Sequence, residues 1–123
     1  MKTILIVDDE YAIVEALEGL LMDEGYQVLT AANGKEALAQ VAKAPPDVVL
    51  TDVMMPVMGG RELVLALAAD PSTARLPVVM TSAAPRAILF PGGLDLPIAA
   101  FLAKPFNVGQ LLEVLDRLLV RNT

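Results

Sequence analysis

Five polar residues of this chain have the types that phosphoryl chemistry requires, and each falls at the end of an apolar run. Asp8 and Asp9 close the run Thr3-Ile4-Leu5-Ile6-Val7, and Asp52 closes Val48-Val49-Leu50-Thr51. Thr81 follows Val78-Val79-Met80, and Lys104 follows the run Ala99 to Ala103. Short continuous apolar runs suit strands covered on both faces. Carboxylates set beside such a core are costly to desolvate without a partner. Three of them brought together cannot all stay ionised unaided. A hard divalent cation such as Mg²⁺ resolves this, taking one or two carboxylates, a carbonyl and several waters. The Lys104 ammonium is a point charge suited to a phosphoryl oxygen, and Thr81 adds a hydroxyl donor. Together these groups form a set for phosphoryl transfer, where most catalysis is positioning and charge neutralisation.

Bringing the five together is the task of the intervening elements. Ile13, Leu17, Leu20 and Leu21 recur at helical spacing, and Gly25 stands where a helix C-cap glycine belongs. Tyr26 to Ala31 reads as a second, weaker strand. Asn33-Gly34-Lys35-Glu36 reads as a capping box opening a helix with Leu38 and Val41 inward, ended by Pro45-Pro46. Leu63, Val64 and Leu67 form the inner stripe of a third helix, closed by Asp70-Pro71. Asn107 to Gln110 is another capping box, and Leu111, Val114, Leu115 and Leu118 share one face of the last helix. Strands alternating with helices imply βαβ units with right-handed crossovers. The expected fold class is α/β, a doubly wound five-stranded parallel sheet of order 2-1-3-4-5 with helices on both faces. In that order strands 1 and 3 are neighbours about 5 Å apart, and all carboxyl ends share the edge where ligands bind. The expected fourth helix is shortened or irregular, because Pro85, Pro91, Gly92-Gly93 and Pro97 break it up. At best Pro85 to Phe90 makes a turn or two.

The totals narrow the function further. The 123 residues form a single domain, 1–123, and 55% hydrophobic composition excludes disorder. With no cysteine and no histidine, thiol chemistry, imidazole ligands and Ser-His-Asp catalysis are excluded. A net charge of −6 with scattered basic residues, two Tyr, three Phe and no Trp argue against direct nucleic-acid binding. Asp8 and Asp9 interrupt the first apolar run too early for a signal peptide, and no stretch is long enough to span a membrane. A cytoplasmic location is the expectation.

Four pieces taken in order carry a resemblance: Ile6-Val7-Asp8-Asp9-Glu10, Asp52-Val53-Met54-Met55-Pro56 with Gly60, Met80-Thr81-Ser82, and Phe101-Leu102-Ala103-Lys104-Pro105-Phe106. Over essentially its whole length the chain resembles a receiver domain of bacterial two-component response regulators. The resemblance implies a signalling switch rather than a turnover enzyme. In it Asp52 is the phosphoacceptor, charged by a sensor histidine kinase or a histidine phosphotransfer protein. It further implies that Asp9, Asp52 and the Met54 backbone carbonyl ligate Mg²⁺, with Asp8 acting through water. Lys104 pairs with the phosphoryl group and holds Asp52 before it arrives. Thr81 moves to the new phosphoryl oxygens and lets Phe101 swing inward. The Lys104-Pro105 bond is cis in the family. The signal passes to a downstream protein target or a fused output domain.

Each residue also has a plainer reading: Asp8 or Asp9 as a helix cap, Glu10 as a charge at a helix N-terminus, Asp52 as a cap or loop residue, Lys104 as a surface lysine, Thr81 and Ser82 as turn formers, Phe101 as core. Three departures from the family stand out. Gly59 replaces the usual Asp or Asn, which leaves the loop freer. Met54 and Ala83 flank the phosphoryl position and cannot orient water, so autodephosphorylation is expected to be slow. The segment Pro85 to Pro97 carries Ile88, Leu89, Phe90, Leu94 and Leu96, either as a mobile partner surface or as irregular cover for the core. Because of that segment, a phosphorylation-independent interaction scaffold is the alternative function. A Mg²⁺-dependent phosphatase of the haloacid-dehalogenase type ranks last, since it needs Asp-x-Asp and here Asp8 and Asp9 are adjacent.

Overall fold

The computed structural model describes residues 1–85, 89–90, 92 and 96–119. The elements run β1 (Thr3–Val7), α1 (Tyr11–Asp23), β2 (Gln27–Ala31), α2 (Gly34–Lys43), β3 (Val48–Asp52), α3 (Gly60–Ala69), β4 (Val78–Ser82), β5 (Ala100–Ala103) and α4 (Val108–Leu118). All strand pairs are parallel, in the order β2-β1-β3-β4-β5. This is the doubly wound sheet expected from the alternation of apolar runs.

Alternate residues of each strand feed two core layers. Leu5, Val7, Val49, Val78 and Met80 pack against Ala37 and Val41 of α2 and Leu63, Val64 and Leu67 of α3. Ile4, Ile6, Val48, Leu50 and Val79 pack on the other face against Val14 and Leu21 of α1 and Leu111, Val114 and Leu115 of α4. Each such side chain contributes roughly 1.5–3 kcal/mol by burial, against about 1 kcal/mol for a typical hydrogen bond. The core therefore sets where the strand ends lie, and the polar groups there adjust to it.

The ends of the helices follow local chemistry. Gly25, at φ 93°, stops α1: its N–H donates to the Met22 carbonyl, and the Tyr26 N–H reaches back to Leu21. Tyr26 is thus part of the cap and β2 begins one residue later. The buried residue in the first half of α1 is Val14, flanked by the half-buried Ile13 and Leu17. Asn33 caps α2 through the Glu36 N–H (2.9 Å), while the Glu36 carboxylate accepts from Ala32, one residue beyond the cap (3.1 Å). Around α4 the box closes reciprocally between Asn107 and Gln110.

Between β4 and β5, the Leu89 N–H donates to the Pro85 carbonyl at 3.2 Å. Ile88 and Leu94 lie outside the described residues. Phe90 is buried in the layer under α2 and α3, with Leu89 and Leu96 packed against it, so these three cover core. No described helix is long and apolar enough to cross a membrane.

Candidate functional site

Strand register brings the acids together. Val7 pairs with Thr51, so Asp8 and Asp52, each following, end adjacent strands. Asp52 itself pairs with Thr81, and Ser82 pairs with Ala103, one residue before Lys104. One carboxylate oxygen from each of Asp8, Asp9 and Asp52 lies within 4.8 Å of the other two. Asp8 and Asp52 are buried, whereas Asp9 is exposed. Opposite oxygens around Mg²⁺ stand about 4.2 Å apart, twice the metal–oxygen distance. A set of three hard oxygen donors this close fits that ion with small adjustments.

Lys104 reaches into the acids from β5. Its ammonium lies 3.1 Å from Asp8 Oδ2 and 3.5 Å from Asp52 Oδ1. The shorter contact is to Asp8, a pairing across 96 positions that no sequence pattern announces. Asp8 also accepts the Glu10 N–H at 3.0 Å, and the Glu10 side chain makes no cap of its own. Burial pushes the Asp52 carboxyl above the usual carboxylate range, opposed by the Lys104 charge and reinforced by Asp8. Burial also works against the Lys104 ammonium, yet its bond to Asp8 and the charge of Asp52 outweigh this and raise it. Among the described residues no buried side-chain nitrogen or oxygen lacks a hydrogen-bond partner.

Thr81 is buried, its hydroxyl 3.5 Å from the Thr51 carbonyl. Ser82 accepts the Ala84 N–H and so turns the chain at the end of β4. Phe101 is half-buried on β5, paired with Met80. The Lys104-Pro105 peptide is cis.

The loop after Asp52 is tightly drawn. The Met58 N–H donates to the Pro56 carbonyl at 2.7 Å, closing a γ-turn with Val57 at φ 69°. Gly59 caps α3 without a side chain, and its N–H is taken by the Glu62 carboxylate at 2.9 Å. Gly60 donates to the Val53 carbonyl and abuts the Asp52 carbonyl oxygen so closely that a Cβ there would collide with it. Met54 is 67% exposed, and Ala83 is also exposed. Beside Lys104 an apolar groove of about 380 Å³ opens between α1 and the connection from β5 to α4, lined by Ile13, Ala16, Leu17, Pro105, Phe106 and Val108.

Sequence reasoning located all of these acids, Thr81, Phe101 and Lys104. It named Phe90 only as an apolar residue of the Pro85 to Pro97 segment and missed Arg61, whose side chain meets it. The Arg61 guanidinium lies 5.8 Å from the Phe90 ring centroid, and Phe90 stands edge-on to Phe101 at 6.3 Å.

A doubly wound parallel sheet with paired acids, a central aspartate and a lysine at its carboxyl edge defines a class of phospho-accepting signalling domains. Residues 4–116 match the family described as response regulator receiver domain, and the chain belongs to it. It is 42% identical over 104 residues to the response regulator PleD of Caulobacter vibrioides, covering 85% of this chain and 23% of that protein. The structure of the chemotaxis response regulator CheY4 of Vibrio cholerae superposes with a TM-score of 0.86 at 38% identity, covering 96% of this chain and 98% of that one. The response regulator TrrA of Thermotoga maritima, solved in complex with Mg²⁺–BeF, superposes with a TM-score of 0.84 at 30% identity, covering 96% and 99%. The chain spans from about a quarter to about half the length of the curated relatives it matches.

Proposed function

We propose that residues 1–123 act as one receiver domain, in which Asp52 takes a phosphoryl group from a phosphohistidine on a sensor kinase or histidine phosphotransfer protein. The observation that carries this is the meeting of Asp8, Asp9 and Asp52 within 4.8 Å under the Lys104 ammonium. An Asp52 carboxylate oxygen attacks phosphorus; the phosphorus–nitrogen bond breaks, and the leaving imidazole keeps the electron pair. Asp9, Asp52 and the Met54 carbonyl hold Mg²⁺, with Asp8 acting through water. When bound, the ion neutralises the carboxylates and the phosphoryl oxygens. That TrrA was solved with Mg²⁺–BeF supports Mg²⁺ as the ion. Lys104 holds Asp52 before transfer and balances the phosphoryl charge after it. Thr81 then turns its hydroxyl from the Thr51 carbonyl to a phosphoryl oxygen, and Phe101 repacks.

The groove suits the partner that delivers the phosphohistidine, because its apolar lining comes from α1 and the approach to α4 and Lys104, whose ammonium meets Asp8 and Asp52, is among its lining residues. The signal passes to a downstream protein or to a fused output domain, in keeping with the greater length of the relatives. A net charge of −6 disfavours direct contact of these residues with nucleic acid or an anionic membrane surface, and a cytoplasmic location fits a partner that carries phosphohistidine.

Incubation with Mg²⁺ and a small phosphodonor tests the reading. Mass spectrometry is expected to find one phosphoryl adduct, on Asp52, absent in Asp52→Asn. No adduct in the native chain would favour a phosphorylation-independent scaffold, and rapid multiple turnover of donor would favour a phosphatase.

A further inference from the structure

Phe90 touches a residue of α3 on one side and a residue of β5 on the other. It is 5% exposed, in the segment between β4 and β5. Its ring stands edge-on to Phe101 of β5, at an interplanar angle of 85° and 6.3 Å between centroids. That is a favoured aromatic geometry, with the positive ring edge of one against the negative face of the other. The Arg61 guanidinium of α3 lies over Phe90 at 5.8 Å, within the range of a cation–π contact.

Both ends of this three-membered stack lie close to Asp52. Arg61 follows Gly60, which abuts the Asp52 carbonyl and donates to the Val53 carbonyl. Phe101 pairs with Met80, next to Thr81, and stands three residues before Lys104. A rearrangement of Phe101 cannot leave Phe90 undisturbed, because Phe90 is buried and has a ring contact on each side. Arg61 is itself exposed, so its side chain contributes little to the core.

We infer that Arg61 and Phe90 are positioning residues for the Phe101 switch: Arg61 steadies Phe90, Phe90 holds Phe101 in the half-buried position seen here, and the pair thereby opposes phosphorylation. The inference rests on the reading of Asp52, Thr81 and Phe101 given above. The stack favours the arrangement in which the Thr81 hydroxyl faces the Thr51 carbonyl. Weakening the stack therefore shifts the balance toward the arrangement that a phosphoryl group demands.

The chain has three phenylalanines, so uniform fluorophenylalanine labelling gives three fluorine NMR signals, and Phe90→Leu identifies one by deletion. Beryllofluoride with excess Mg²⁺ serves as the phosphoryl mimic. Titration is expected to move the Phe90 and Phe101 signals together. Arg61→Gln is expected to tighten beryllofluoride binding by roughly twofold to fivefold, the size of an exposed cation–π contact. Arg61→Lys, which keeps the cation, is expected to restore most of the native affinity, and Phe90→Leu to tighten binding at least as much as Arg61→Gln. Unchanged or weaker affinity in both Arg61→Gln and Phe90→Leu overturns the inference, as does a Phe101 signal that moves while that of Phe90 stays still. If beryllofluoride moves no fluorine signal of the native chain, the phosphoacceptor reading falls, and the inference with it.

Discussion

At Asp52, burial and the nearby Asp8 charge both favour the protonated carboxyl, and Lys104 opposes them without reversing the shift. The sign of the pH dependence follows. A carboxyl raised by folding binds its proton more readily in the folded chain than in the unfolded one, so its ionised form costs stability at neutral pH. That cost is relieved as pH falls through the raised value. Without divalent cation, Asp52→Asn is therefore expected to be more stable than the native chain at pH 7, by about 1 kcal/mol. The gap should close on acidification, and urea unfolding at several pH values measures it; a less stable variant at pH 7 would refute the charge argument. Two positions on, Met54 is exposed and offers no group to align a water molecule, and Ala83 offers none either. Phospho-Asp52 is accordingly expected to be long-lived for the family. Met54→Asn should shorten its life roughly fivefold, the worth of one hydrogen bond of ~1 kcal/mol. Following phosphate release from the purified phosphoprotein decides this, and a faster native rate would count against it.

Among the elements, the connection from β3 to α3 carries the sharpest conformational demand. Val57 is β-branched, 79% exposed, and held at φ 69° in a γ-turn. Such a residue is strained there and packs against little in return. Val57→Gly is expected to raise stability by about 1 kcal/mol, strain relief outweighing the added freedom of the unfolded chain. A lowered urea midpoint would show that the turn is not strained. Three residues later the demand is reversed. Gly60→Ala places a methyl group on the Asp52 carbonyl oxygen and should cost ~2 kcal/mol or more while displacing the phosphosite. The strands, by contrast, were legible from short continuous apolar runs, and the two asparagine caps from their spacing to Glu36 and Gln110. The turn at Val57 was not, since Pro-Val carries no positive-φ signature. Neither was the reach of Glu36 to Ala32 in place of Asn33, which depends on how the chain enters α2.

For the molecule as a whole, the candidate site was legible to the extent that it follows from strand order. Once the sheet is 2-1-3-4-5, Asp8, Asp9, Asp52, Thr81 and Lys104 must gather at one edge. The preference of Lys104 for Asp8 over Asp52, and the stack of Arg61, Phe90 and Phe101, depend on side-chain reach between distant segments and leave no trace in periodicity. Binding of Mg²⁺ to that edge should stabilise the entire fold, because the unfolded chain cannot gather the acids. At tenfold excess over its dissociation constant the gain is about 1.4 kcal/mol, and a thermal shift that persists unchanged in Asp52→Asn would argue for binding elsewhere. One further consequence follows from β3, whose five residues Val48–Asp52 are all buried on both faces of the sheet. A beam enclosed in this way can neither slide nor tilt, so its tolerance to amino-acid change is low along its length and rises abruptly past its tip, where Met54 and Val57 are open to solvent. Under the function proposed above, variation in the exposed loop and the groove is expected to redirect the domain to a new donor while the enclosed strand and the acids at its edge stay as they are.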